Sequence, residues 1–232
     1  MQRITKKLIS MVMAVSIAVI CSLFVYSERP NIPVYNSNVK EGKKIALTFD
    51  DGPHPKNTEK ILEILEEYGI KATFFVIGVN VKNYPKTLEK IVSSGHEIGN
   101  HTYTHRILKN KTKEEIIKEL ADTESEICKY YSPSTCLIRP PCGIYDENLI
   151  EIALENKYKI VLWNIDTKDW EHATSHSIEN KVMNMVNGGD IILFHDYISG
   201  ENNTPNALRT IIPKLLNDGY TFVTVSELLQ NV

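Results

Sequence analysis

The sequence has few cysteines, and their spacing suggests no structural framework. Four of the 232 residues are cysteine, at Cys21, Cys128, Cys136 and Cys142. The first falls in an apolar N-terminal stretch, so the other three leave at least one thiol unpaired. Their spacing differs from that of a zinc ribbon. We therefore expect neither a disulfide-stabilised fold nor a thiolate metal site.

An excess of positive charge is also missing. The chain has 26 Lys and Arg residues against 29 Asp and Glu residues, for a formal net charge of −3. Three of the positive charges, Arg3, Lys6 and Lys7, precede the apolar stretch, and without them the remainder stands at about −6. This balance argues against nucleic acid as a partner. No protein partner is evident.

Long polar and repetitive tracts are absent as well. Hydrophobic residues make up 42% and charged residues 24% of the chain, which is ordinary for a folded globular protein. The length suits one domain with a full core and a short extension at one end. Disorder of the main body is not expected.

One long apolar run is present, close to the N-terminus. Residues 8–26 carry no charge, and their number is close to the ~20 needed to span a bilayer. The basic residues before them favour an N-terminus on the cytoplasmic side. We therefore predict that residues 1–27 are a membrane anchor, with a cleaved signal segment as the alternative.

The next stretch predicts a linker and then a single folded domain. Residues 28–42 contain Pro30, Pro33 and Gly42 and are predicted to connect the membrane to the domain. The domain is assigned to residues 43–232. Whether the N-terminal segment is an anchor or a cleaved signal, the domain is expected to lie outside the cytoplasm.

From residue 44 onward, short apolar strands alternate with amphipathic helices. Residues 44–49 predict a buried strand, and the apolar residues between positions 61 and 68 predict the helix after it. About seven such units indicate parallel pairing and a β/α barrel. A doubly wound open sheet is the alternative. No Gly-x-Gly-x-x-Gly follows the first strand, which disfavours dinucleotide binding.

Polar side chains stand at the predicted carboxyl ends of several strands. In a parallel barrel these ends lie on one face, where barrel enzymes place their active sites. The residues are Asp50, Asp51, His101, His105, Arg139, Asp166 and His195.

Two histidines and two carboxylates predict a metal site with a base beside it. His101 and His105 are four residues apart, which places both on one side of a helix or a strand. Two imidazoles and one carboxylate leave metal positions open for water and substrate. Asp50 and Asp51 are neighbours that point in opposite directions in an extended segment, so one can bind metal and the other act as base.

A third histidine is a candidate general acid. His195 follows a strongly apolar strand, and the pKa of a histidine can be set near neutrality. Asp166 is expected to hold it in the right tautomer. Arg139 is expected to pair with an Asp carboxylate.

Five segments in order resemble the motifs of the polysaccharide deacetylases (NodB homology domain, carbohydrate esterase family 4). They read TFDDGP at 48–53, HTYTH at 101–105, RPPCG at 139–143, DTKDW at 166–170 and LFHD at 193–196. The resemblance extends over roughly residues 43–229. It implies a single catalytic domain with a distorted (β/α)7 barrel, and one divalent metal, with zinc expected first and cobalt as the alternative.

The resemblance also implies a role for each site residue. Asp50 is implied to be the catalytic base, oriented by Arg139, and His195 the general acid, oriented by Asp166. The implied metal ligands are Asp51, His101 and His105. Trp170 and Leu193 are implied to line the pocket for the acetyl group.

One motif position departs from the family pattern. Cys142 stands where the family usually has Tyr, and in the family the backbone N–H at this position helps to stabilise the oxyanion. Replacing Tyr by Cys leaves this backbone N–H donor in place. A thiol beside a metal site, however, can bind metal or become oxidised.

The implied reaction is metal-assisted hydrolysis of an acetamido group, which releases acetate. N-acetylglucosamine residues of peptidoglycan are the expected substrate, because an anchor and a short linker keep the domain near the wall. Asp51 argues against the relatives that act on muramic residues, some of which have Asn there. The alternatives are an acetyl-xylan or chitin-oligosaccharide deacetylase and a catalytically inactive glycan-binding module.

Overall fold

The computed structural model of the chain describes residues 32–38, 42–132 and 134–230. From Pro33 onward the chain forms one compact unit. The predicted anchor, residues 1–27, lies outside the described residues. Across the described ranges, no helix has both the length and the apolar character needed to cross a membrane.

The described strands form one parallel sheet. In chain order they are β1 (Val34–Tyr35), β2 (Lys44–Asp50), β3 (Thr73–Val76), β4 (Glu97–Asn100), β5 (Leu137–Ile138), β6 (Lys159–Val161), β7 (Ile165–Asp166), β8 (Ile191–His195) and β9 (Thr221–Phe222). Their order in the sheet is β1-β6-β5-β4-β3-β2-β8-β7, with β9 also paired to β2. Each of these pairings is parallel.

Helices follow most of the strands, as the alternating pattern predicts. They are α1 (Asn57–Glu67), α2 (Gly78–Asn83), α3 (Pro85–Ser93), α4 (Lys113–Ile127), α5 (Glu147–Asn156), α6 (Ser175–Met185), α7 (Thr204–Asn217) and α8 (Val225–Leu228). Short 3-10 turns occur at Pro141–Gly143 and Asp169–Glu171.

A short run of chain brings the two ends of the sheet together. Strands β6 and β7 lie close in sequence, yet β6 pairs with β5 and β7 pairs with β8. Between them, the Leu162 N–H donates to the Tyr35 carbonyl and the Asn164 N–H donates to the Ile191 carbonyl. The sheet therefore curls on itself, which confirms the predicted distorted (β/α)7 barrel and excludes the open doubly wound sheet.

Side chains along β2 point alternately into the hydrophobic core and towards the opposite face of the sheet, where Asp50 lies. Ile45, Leu47 and Phe49 are buried in the large cluster that contains the apolar faces of α1 and α7. The Phe49 ring stacks on Phe74 of β3 and Phe194 of β8, with centroid distances of 5.0 and 5.7 Å. Successive strand residues face opposite sides, so residues 46, 48 and 50 face away from this cluster. The packing of three neighbouring strands thus sets the position of the polar strand ends.

Part of the predicted linker belongs to the barrel. Residues 34 and 35 form β1, and the Pro33 carbonyl accepts a hydrogen bond from the Ile160 N–H at 2.6 Å. Assigning residues 28–42 to a linker was therefore wrong for this stretch. A two-residue strand is too short to produce a periodic hydrophobic signal, and the neighbouring prolines suggested an irregular segment.

Candidate active site

A buried arginine lies at the centre of the site. The Arg139 side chain is fully buried, and its Nη1 donates to Asp50 Oδ1 at 2.7 Å and to Thr48 Oγ1 at 2.8 Å. Its Nε and Nη2 donate to the carbonyls of Val161 and Leu162 at 3.1 and 3.0 Å. A buried charge needs such compensation. The predicted contact between Arg139 and Asp50 is present, and it fixes the carboxylate of Asp50 in one orientation.

The two adjacent carboxylates face different partners. Strand β2 ends at Asp50, and Asp51 has a φ of +77°, which turns the backbone. Asp51 Oδ1 lies 3.3 Å from His101 Nε2 and 3.2 Å from His105 Nε2. Asp50 thus pairs with the arginine through Oδ1, while its Oδ2 lies 3.7 Å from His101 Nε2. Asp51 is closer to the histidines and faces both of them.

The Asp51 group fits a divalent metal ion. The ligand atoms of Asp51, His101 and His105 lie within 4.8 Å of one another. Asp51 Oδ1 is buried and has no hydrogen-bond partner, although it faces both imidazoles. His101 Nδ1 lies 2.7 Å from the Arg139 carbonyl, which makes Nδ1 the protonated nitrogen and leaves the Nε2 lone pair directed at Asp51. A lone pair and a carboxylate oxygen that face each other suit a cation between them.

The charge balance around His101 also favours a cation. Burial disfavours the charged imidazole, but the charges of Asp50 and Asp51 outweigh burial, and the pKa of His101 is raised. A metal ion would take the place of that proton, since metal and proton compete for the same nitrogen.

The two histidines converge by a different route from the one predicted. Strand β4 ends at Asn100, and the segment 101–105 is neither helix nor strand. Thr102 and His105 have φ angles of +67° and +58°, and the Thr102 N–H donates to Asn100 Oδ1 at 2.9 Å. Two backbone turns, rather than helical or extended spacing, therefore bring the imidazoles together.

His195 lies on the strand next to Asp50 and pairs with an aspartate. The two residues are register partners across β2 and β8. His195 Nδ1 lies 2.8 Å from Asp169 Oδ1, and Asp169 Oδ2 accepts from the His195 N–H at 2.8 Å. Burial lowers the pKa of His195, but the Asp169 hydrogen bond and charge, with Asp50 and Asp51, raise it to about 9. The raised pKa favours the imidazolium, which is the form that a proton donor needs.

The predicted partner of His195 was wrong. Asp166, at the end of β7, accepts a hydrogen bond from the Lys168 N–H at 2.9 Å, and Asp169 takes the expected position. Lys168 has a φ of +58°, which turns the chain so that the following 3-10 turn meets β8. The segment 166–170 contains two aspartates, and only this turn decides which one reaches the imidazole.

A second buried carboxyl had no predicted role. Asp196 accepts from Thr58 Oγ1 at 2.5 Å, and its own N–H donates to the Asp50 carbonyl at 3.1 Å. A Cβ at Gly52 would stand 2.1 Å from Asp196 Oδ2, so the carboxyl packs directly on that glycine. Burial raises the pKa of Asp196 to about 7. Asp196 therefore supports the backbone on both sides of Asp51, a contact that sequence spacing does not reveal.

The remaining predicted site residues are Leu193, Trp170 and Cys142. Leu193 is buried on the same face of β8 as His195, and Trp170 follows Asp169 and is 48% exposed. Cys142 is exposed and has a φ of +57°. Among the described residues, its thiol is not part of the metal-binding group. The roles of these three residues in catalysis remain predictions.

Comparison with known proteins shows a consistent set of relatives. Residues 37–161 match the family model described as polysaccharide deacetylase. A peptidoglycan-N-acetylglucosamine deacetylase of Bacillus cereus is 40% identical over 190 residues, which cover 81% of this chain and 89% of that protein.

Two solved structures extend the comparison to three dimensions. A peptidoglycan N-acetylglucosamine deacetylase is 35% identical with a TM-score of 0.84, and the match covers 87% of this chain and 94% of that one. A family 4 acetyl xylan esterase from Clostridium thermocellum, in complex with cobalt, is 37% identical with a TM-score of 0.74, covering 81% and 91%. With this fold and this site, the chain belongs to the polysaccharide deacetylase family, carbohydrate esterase family 4.

Proposed function

We propose that this chain is a metal-dependent N-deacetylase of cell-wall polysaccharide that removes acetyl groups from N-acetylglucosamine residues of peptidoglycan. The observation that carries the proposal is the separation of two adjacent carboxylates. Asp50 pairs with Arg139, and Asp51 faces His101 and His105. The relatives that act on peptidoglycan support the choice of substrate.

The protein groups are suited to both proton transfers of amide hydrolysis. Asp50 has one oxygen bound by Arg139, and its other oxygen, which lies 3.7 Å from His101 Nε2, is the one that accepts a proton from the attacking water in this proposal. His195, protonated and held by Asp169, gives a proton to the leaving amine. The Cys142 N–H is proposed as a donor to the developing oxyanion. Acetate and a free amino sugar are the products.

The metal site completes this arrangement. Asp51, His101 and His105 would hold the ion, and zinc is proposed first because two imidazoles and a carboxylate suit it. Cobalt is the alternative, as in the acetyl xylan esterase relative. When bound, such an ion supplies Lewis-acid polarisation of a carbonyl oxygen and of water.

An acetyl-xylan esterase is the second candidate function. The acetyl xylan esterase structure is 37% identical to this chain, and an ester needs the same base, acid and metal as an amide. An inactive glycan-binding module is disfavoured, because the candidate base, acid and metal ligands are all present.

We also propose that the N-terminal segment, residues 1–27, holds the domain at the outer face of the membrane. The uncharged run at residues 8–26 supports this. In fractionated cells the protein should sediment with membranes and be cleaved by protease added to wall-free cells. Recovery in the soluble cytoplasmic fraction, protected from protease, would contradict the proposal.

The substrate is tested by acetate release from three defined polymers: peptidoglycan, chitin oligosaccharides and acetylated xylan. We expect release from peptidoglycan, loss of that activity after exhaustive chelation, and its return on addition of Zn²⁺ or Co²⁺. Full activity in protein shown by elemental analysis to contain no metal would refute the metal requirement. Release from xylan alone would favour the esterase.

The pairing of His195 with Asp169 predicts a change in pH dependence. Asp169→Asn removes the charge that favours the imidazolium, so the pKa of His195 should fall below about 9. The alkaline limb of the pH–activity profile should then move to lower pH, because the acid must be protonated. The same shift should appear when the imidazole is titrated by NMR.

Asp166→Asn is the matched control for this experiment. It removes a nearby carboxylate that contacts the Lys168 N–H and not the imidazole, so both measurements should keep their wild-type midpoint. A shift in Asp166→Asn with none in Asp169→Asn would contradict the assigned pairing.

The role of Cys142 is tested by two substitutions. If Cys142 acts through its main-chain N–H, then Cys142→Ser and Cys142→Tyr should keep metal content and change turnover much less than the hundredfold or so that follows loss of an oxyanion donor. Elemental analysis and acetate release are measured on the same samples. Loss of both metal and activity in folded Cys142→Ser would instead identify the thiolate as a ligand.

A further inference from the structure

We propose that Tyr197, His54 and Tyr84 form an aromatic platform that binds the sugar residue next to the one being deacetylated. This inference rests on the proposed function and adds a subsite to it. The three residues, called the aromatic platform below, lie outside the base, acid and metal-binding group.

The rings of the platform are in contact with one another. Tyr197 stacks on His54 with a centroid distance of 4.9 Å and an interplanar angle of 15°. Tyr84 meets His54 edge-on, at 6.1 Å and 72°. Tyr197 is 43% exposed and Tyr84 is 37% exposed. Single exposed apolar residues are common, whereas here two exposed rings contact the same central ring.

The central ring is held in place by its own loop. The His54 N–H donates to Thr58 Oγ1 at 2.8 Å, and His54 Nδ1 accepts from the N–H groups of Lys56 and Asn57 at 3.4 and 3.3 Å. An Nδ1 that accepts hydrogen bonds carries no proton, so the ring is neutral. Stacking on it therefore requires no desolvation of a charge, and little rotamer freedom remains to be lost on binding.

The platform adjoins the reaction centre through two paired strands. His54 is three residues beyond Asp51 after β2, and Tyr197 is two residues beyond His195 after β8. Asp50 and His195 are register partners on these strands, and Asn202 Nδ2 holds the second loop by donating to the His195 carbonyl at 3.1 Å. The stacked rings therefore border the face on which the base and acid stand.

A glycan chain has the chemistry that this surface fits. One face of a pyranose presents C–H groups, which pack on aromatic rings, and its hydroxyls remain free for water at the edge of an open site. A polymer held at the reaction centre continues past the sugar that reacts. The neighbouring sugar is thus the occupant that the position and chemistry of the platform favour.

The test compares chain-length dependence among variants of the metal-loaded full chain. Values of kcat/KM are measured on N-acetylglucosamine oligomers from the monomer to the pentamer, and the pentamer-to-monomer ratio is taken for each variant. Because the ratio is formed within one preparation, differences in folding or metal loading cancel. Tyr197→Phe keeps the ring, and Leu216→Ala removes an exposed apolar side chain on α7, away from the platform.

We expect the ratio to exceed one in the wild type and to fall by about fivefold or more in Tyr197→Ala, as loss of one stacking ring predicts. It should stay at the wild-type value in Tyr197→Phe and Leu216→Ala. An unchanged ratio in Tyr197→Ala overturns the proposal. An equal loss in Tyr197→Phe also overturns it, because the hydroxyl rather than the ring face would then bind the sugar.

Failure of the subsite and failure of the proposed function give different results. If the wild type releases acetate and the chain-length ratio does not depend on Tyr197, only the platform proposal is refuted. If the wild type releases no acetate from any oligomer or from peptidoglycan, the proposed function is refuted. In that case, calorimetric titration of chitopentaose into the wild type and Tyr197→Ala tests the platform separately, and equal affinities overturn it.

Discussion

The buried ion pair between Arg139 and Asp50 is the contact on which the rest of the site depends. Arg139 follows β5, reaches Asp50 and Thr48 on β2, and donates to carbonyls at and just after the end of β6. It therefore joins three strands inside the barrel. Removing one partner of such a pair leaves an uncompensated buried charge and costs roughly 3–5 kcal/mol. The pair fixes the orientation of the candidate base.

The division of roles between the two aspartates follows from this contact. Arg139 occupies one oxygen of Asp50, and the Arg139 carbonyl fixes the tautomer of His101. The positive φ of Asp51 then directs its carboxylate to the histidines. A single buried residue thus orients the base through its guanidinium and a metal ligand through its backbone. Asp169 performs the corresponding task for His195 on the neighbouring strand.

The sequence predicts the strand ends well and the turns between them poorly. The period-2 pattern of β2 separates Phe49 from Asp50, so both the core and the position of the carboxylates could be anticipated. The partner of His195 could not, because the choice between Asp166 and Asp169 depends on the left-handed backbone of Lys168. The two histidines do lie close together, but through turns of the loop and not through the helical or extended spacing on which the prediction rested. Hydrophobic periodicity carries no information about such turns.

The separate roles of Asp50 and Asp51 are tested most directly by measuring metal content and acetate release on one preparation of Asp50→Asn. The neutral amide keeps the size of the carboxylate but cannot act as a base. We expect metal content equal to that of the wild type, and acetate release lower by a factor on the order of a hundred or more. Loss of metal from Asp50→Asn, with retention of metal by Asp51→Asn, would show that the roles are reversed.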